Sequence, residues 1–81
     1  MDDHDLVRQV DELAGEERAL RLKAGTGRPL GPEDRERLAE IQVRIDQLWD
    51  LIRQRRAREE VGLDPDEVHE RSPEIVEGYE Q

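Results

Sequence analysis

The sequence predicts an all-α protein: an antiparallel hairpin of two helices, about residues 3–24 and 32–60, with a short-helix or irregular acidic C-terminal tail. Two such hairpins are expected to join as a four-helix bundle in a dimer. Three observations carry this. Apolar residues recur at helical spacing in two long segments, a glycine- and proline-rich break separates them, and the last stretch is acidic with few apolar anchors. Length sets the organisation, because 81 residues at about 100 to 200 per domain leave room for one unit. Residues 1–62 read as the hairpin and 63–81 as the tail.

In the first helix Leu6, Val10, Leu13 and Leu20 form a seam, with Glu17 in the missing step and Ala24 following. Val7 and Ala14 widen that seam on one flank. Gly15 interrupts the helix interior at a cost of up to about 1 kcal/mol relative to Ala, too little to overturn the pattern. Residues 25–31 then gather three glycines and a proline, which stops the helix and lets the chain reverse.

Pro32, Glu33 and Asp34 restart it. A proline at the first helical position needs no N–H partner, and acidic residues there meet the positive end of the helix dipole. The second seam is Leu38, Ile41, Ile45, Leu48 and Ile52, with Trp49 beside it. At about 1.5 Å per residue the two helices are about 33 Å and 42 Å long, close enough to pack side by side. In that hairpin Leu20 meets Leu38, Leu13 meets Ile45, Val10 meets Leu48 and Leu6 meets Ile52. Glu17 falls near Ile41, and a salt bridge to Arg37 or Arg44 is its expected role.

The tail carries two helix-start signals, Asp64-Pro65-Asp66-Glu67 and Ser72-Pro73-Glu74. Leu63, Val68, Ile75, Val76 and Tyr79 are its apolar anchors, and part of it is expected to dock.

Composition excludes several functions. Thirteen basic residues against 22 acidic ones give a formal charge of −9, which repels phosphate backbones and anionic membranes. Neither nucleic acid nor membrane is an expected partner. With no cysteine, disulfides, thiolate nucleophiles and Cys-based metal sites are ruled out. No apolar run approaches the roughly 18 residues of a membrane span, and the acidic Met1-Asp2-Asp3 opening is unlike a signal peptide. A cytoplasmic location is expected.

The most conspicuous feature is Arg53-Gln54-Arg55-Arg56-Ala57-Arg58, four arginines in six residues. Arg53, Arg55, Arg56 and Arg58 admit two readings: an anion or phosphate site, or a structural cluster beside Asp2, Asp3 and Asp5 and under the acidic tail. The second is favoured, because residues 59–81 hold nine carboxylates against one arginine, a net −8. Trp49, Leu48, Leu51, Ile52, Val7 and Ala14 are the candidate interface, with Trp49 first because tryptophan is enriched at binding hot spots. His4 and His69 lack the spacing that sets two metal ligands on one helix face. No catalytic constellation, metal site or cofactor is expected.

The stretch Ile45-Asp46-Gln47-Leu48-Trp49-Asp50-Leu51-Ile52-Arg53-Gln54-Arg55-Arg56-Ala57, the segment Gly62-Leu63-Asp64-Pro65-Asp66-Glu67 and the ending Val76-Glu77-Gly78-Tyr79-Glu80-Gln81 resemble a family of short acidic actinobacterial proteins of unknown function. The resemblance implies a stand-alone cytoplasmic protein and carries no activity. A second, weaker resemblance links residues 44–52 to the first helix of the all-helical chorismate mutases. It implies a dianionic ligand held by Arg and Lys from several helices, yet the one Lys here is Lys23 and no long third helix is indicated.

The expected function is a non-enzymatic, self-associating helical module, structural or protein-interacting, with a homodimer and an unidentified protein as its partners. The alternatives are a small anion-binding enzyme of the mutase type using residues 53–58, and a regulator that binds a basic partner through its acidic tail.

Overall fold

Helices α1 (Asp3–Ala24) and α2 (Pro32–Glu60) form where the apolar spacing places them, because each end carries its own start or stop chemistry. The computed structural model describes residues 2–80, with side chains through residue 78. Asp2 caps α1, its carboxylate accepting from the Asp5 N–H at 2.9 Å and so satisfying a donor that a helix start leaves open. At the other end the Thr26 hydroxyl donates to the Lys23 carbonyl at 2.7 Å. Gly27 takes φ +87°, which any side chain would strain, and the chain reverses there. Pro32 opens α2, and Lys23 Nζ reaches Asp34 at 2.7 Å across the loop.

That ion pair fixes one end of the hairpin. Arg55 to Asp3 at 2.6 Å fixes the other, so the register is pinned at both ends. Leu6, Val10, Leu48, Leu51 and Ile52 form one buried cluster, with Val7, Leu13, Ile45 and Val68 packed against it. The expected layers of Leu6 with Ile52, Val10 with Leu48 and Leu13 with Ile45 all belong to it.

One expectation at the seam edge is corrected. Glu17 pairs with Arg21 one turn away at 3.7 Å, and Arg37 instead grips Glu16 with two hydrogen bonds of 2.5 and 3.0 Å. The two-pronged match of guanidinium to carboxylate is stronger than any single contact Glu17 offers, and Arg37 holds the Glu16 carboxyl below its ordinary range. Arg44 is drawn off by Glu70 of the tail.

The tail folds back because Gly62 lets it. At φ +77° this residue closes a Schellman turn, in which the Leu63 N–H donates to the Arg58 carbonyl at 2.8 Å and the Gly62 N–H to the Glu59 carbonyl at 3.1 Å. Both expected start signals are used. Asp64 caps a 3₁₀ turn (Pro65–Glu67), accepting from the Asp66 N–H at 2.9 Å, and Ser72 precedes helix α3 (Pro73–Glu80), its carbonyl accepting from Ile75 and Val76. Between them the chain runs antiparallel to α2, with the Gln54 amide donating to the His69 carbonyl at 3.0 Å and the Gln47 amide to the Arg71 carbonyl at 3.3 Å. Val76 is fully buried, whereas Ile75 and Leu63 stay exposed. The Tyr79 side chain lies outside the described residues.

Helix α2 therefore sits in the middle, touching α1, the 3₁₀ turn and α3, while α1 and α3 do not meet among the described residues. The result is a slab of 51 × 25 × 16 Å. Among the described residues there is no strand, and no helix is long and apolar enough to cross a membrane.

Candidate functional site

Two regions gather the residues that the sequence singles out, and helix geometry separates them. At about 100° per residue, Arg55 and Arg58 share one side of α2, while Arg53 and Arg56 turn away from it. An antiparallel hairpin brings the first turn of α1 beside the last turns of α2, and the Schellman turn swings the tail over the same place.

Arg55 occupies the junction. Only 6% exposed, it donates through Nε to Asp3 at 2.6 Å, and through Nη1 to Asp66 at 2.7 Å and the Pro65 carbonyl at 3.2 Å. Arg58 makes a second clasp, donating to the Asp64 carbonyl at 2.5 Å and to Glu67 at 2.9 Å. Its hydrogen bonds to Asp66 and to Asp3 hold Arg55 more firmly protonated than a free guanidinium. In return the bond from Arg55 holds the Asp66 carboxyl below its ordinary value.

Beside Arg55 lies a cavity of 190 Å³ lined by Leu6, Leu51, Arg55, Asp66, Val68 and Glu70. It is smaller than the roughly 300 Å³ at which small-molecule sites begin. An anion entering it meets a guanidinium whose Nε and Nη1 already donate to Asp3, Asp66 and the Pro65 carbonyl. Chemically the junction joins α1, α2 and the tail. Arg53 and Arg56 are exposed, and Arg53 lines a shallow cleft with Asp50 and Arg71.

The structure adds Asp50, a partner for the tail that the spacing arguments did not weigh. At 4% exposure its carboxylate accepts from Gln54 at 2.9 Å and lies 3.7 Å from Arg71. The usable signal was a polar stripe, Gln47, Asp50 and Gln54, running beside Leu51 at helical spacing. His4 and His69 are exposed, and among the described residues no group of three or more ligating side chains is arranged to hold a metal ion.

The second region is the face that the tail leaves open. Of the candidate interface residues, Leu48, Leu51 and Ile52 are buried within the chain's own core, while Val7 and Ala14 are half-buried. Trp49 keeps 37% of its surface exposed. It lies about 160° around α2 from Leu51, which faces the tail, so tail and tryptophan occupy opposite sides of the hairpin. On the Trp49 side the flank of α1 carries Val7 and Ala14. These three side chains, with half-buried Ile45 beneath, make an apolar strip on one broad side of the slab.

With this geometry in view, comparisons with known proteins place the chain among relatives. A family model described as "Protein of unknown function (DUF2630)" matches residues 2–81. An uncharacterized protein of Mycobacterium bovis and uncharacterized proteins of two Mycobacterium tuberculosis strains, CDC 1551 and H37Rv, are each 39% identical over 77 residues. Those matches cover 95% of this chain and 88% of each relative. No solved structure gives a significant match. The resemblance to short actinobacterial proteins, read from the Trp-Asp-Leu block and the tail, is borne out by these matches.

Proposed function

This chain belongs to the DUF2630 family of proteins of unknown function, and we propose that it is a non-enzymatic helical module that associates with a second copy of itself through the strip of Trp49, Val7 and Ala14. The observation that carries the reading is the exposed tryptophan on the broad side of the slab opposite the tail. A large aromatic flanked by half-buried apolar side chains gains most from losing its remaining water contact, and such residues dominate protein interfaces.

The size of the core supports the same reading. Seven apolar side chains are buried among the described residues of an 81-residue chain, and neither a disulfide nor a metal site among those residues reinforces it. Chains of this kind commonly draw stability from association. Four long helices, two from each copy, then enclose the strip.

Light scattering coupled to size exclusion tests this. At high micromolar concentration the protein is expected at twice its 9.5 kDa chain mass, and Trp49→Glu at the single-chain mass with its helical circular dichroism retained. A wild-type chain that stays at the single mass across that range would overturn the reading.

A further inference from the structure

We propose that the loop end of the hairpin, which gathers Arg18, Arg28 and Arg35 with the exposed Leu22, is a docking site for a short acidic segment of another protein that carries an apolar anchor. The charge of the chain is divided unevenly. Residues 18–35 hold five basic side chains against two acidic ones, a net +3, which leaves −12 on the rest of the chain. All five basic residues are exposed. Asp34 is taken by Lys23 at 2.7 Å, and Glu33, two residues before Arg35, is turned about 160° away from it on α2.

Helix geometry puts the remaining positive charge on one side. Arg18 lies about 40° from Ala14 on α1, and Arg35 about 40° from Trp49 on α2, so both stand on the side opposite the tail. With Lys23 held against Asp34, Leu22 and Arg35 are level on neighbouring helices, and Leu22 follows Arg18 by one turn of α1. Arg28 belongs to the connecting loop, whose path is set by Gly27 at φ +87° and by the bond from the Thr26 hydroxyl to the Lys23 carbonyl. Among the described residues the side chains of Arg18, Arg28 and Arg35 make no hydrogen bond or ion pair, whereas Arg37, Arg44, Arg55 and Arg58 each bind a carboxylate. Leu22 keeps 67% of its surface exposed. A lone exposed leucine is ordinary, but arginine beside exposed apolar surface is a combination that protein interfaces favour.

The chemistry of the partner follows. Carboxylates answer the arginines, and an apolar side chain between them answers Leu22, which a phosphate backbone cannot do. Its size follows from the charges around the site. On the same side Asp11 stands about 10 Å from Arg18 along α1, and Asp46 about 16 Å from Arg35 along α2, roughly one to two screening lengths at physiological salt. A peptide or a single helix meets only the basic end, whereas a long phosphate polymer or a flat anionic membrane also lies against the acidic middle. The site does not include Trp49 and is independent of self-association.

A fluorescein-labelled peptide of repeated Glu-Leu-Glu units is the probe, with anisotropy reading affinity and amide NMR shifts reading location. Saturable binding is expected, with shifts confined to residues 18–35 and an affinity that falls as salt rises. Arg18→Gln, Arg28→Gln and Arg35→Gln are each expected to weaken it about two- to threefold, and together about tenfold or more. Leu22→Ser is expected to cost about fivefold. Arg56→Gln, which removes the same charge at the far end of the hairpin, is expected to leave binding unchanged. Absence of saturable binding, or shifts centred elsewhere, would overturn the proposal. So would tighter binding of a DNA duplex or of phosphatidylserine vesicles at the same residues, which would make phosphate the ligand. Loss of the doubled chain mass in the triple variant would assign the loop end to a second copy and overturn it as well.

Discussion

Arg55 and Arg56 are neighbours in sequence, separated by about 100° of helix rotation, and that rotation decides what each one does. Arg55 turns inward to Asp3, Asp66 and the Pro65 carbonyl, whereas Arg56 points to solvent. Replacing Arg55 with Ala removes three charge-assisted hydrogen bonds, but the carboxylates left behind still reach water, Asp66 being 68% exposed. The expected loss is therefore about 1–2 kcal/mol, below the 3–5 of a closed buried pair broken on one side. Arg56→Ala is expected to stay within about 0.5 kcal/mol of wild type. Urea unfolding of the two variants side by side measures the difference. From sequence, the facing of Asp3 and the Arg cluster was legible, because the apolar seams alone fix the hairpin register. Which arginines the tail would take was not, since that depends on the path of the tail.

At the scale of elements, both long helices end where local chemistry ends them, at Gly25 and Gly62 and at Pro32, and such signals can be read directly from residue identity. The tail's path escaped that kind of reading for a physical reason. Much of its docking uses main-chain carbonyls, those of Asp64, Pro65, His69 and Arg71, which every residue carries and no sequence pattern marks. Gly62 directs the path, and Gly62→Ala, forced into φ +77°, is expected to cost about 1–2 kcal/mol and to raise the rate of proteolytic cleavage in residues 63–72. Acid is expected to loosen the same element. Asp66 ionises more readily in the folded chain than in the unfolded one, because Arg55 donates a hydrogen bond to it. Its contribution to stability is thus complete above the ordinary value of 3.8 and is lost as pH falls through the lower, folded value. The methyl resonances of Val76, fully buried against α2, report this. They are expected to broaden or shift below pH 3.8, and Asp66→Asn is expected to weaken the transition.

At the scale of the whole molecule, a slab 16 Å thick has little depth in which to hide apolar surface. Leu48, 1% exposed at the centre of the cluster, illustrates the margin. Its truncation to Ala is expected to cost about 2–5 kcal/mol, a large part of the 5–15 that small domains possess. If the open side closes on a second copy, part of the folding free energy comes from association and depends on concentration. For an unfolding reaction that also dissociates a dimer, each tenfold rise in protein adds about 1.4 kcal/mol to the stability of the pair. Spread over the unfolding entropy of two chains, that raises Tm by about 3–5 °C. Trp49→Glu, held apart by charge on the same strip, is expected to melt at a lower temperature that does not change with concentration. Calorimetry across a hundredfold range of protein separates the two behaviours. A wild-type Tm independent of concentration would mean that the thin core suffices alone and that the exposed tryptophan serves some other contact.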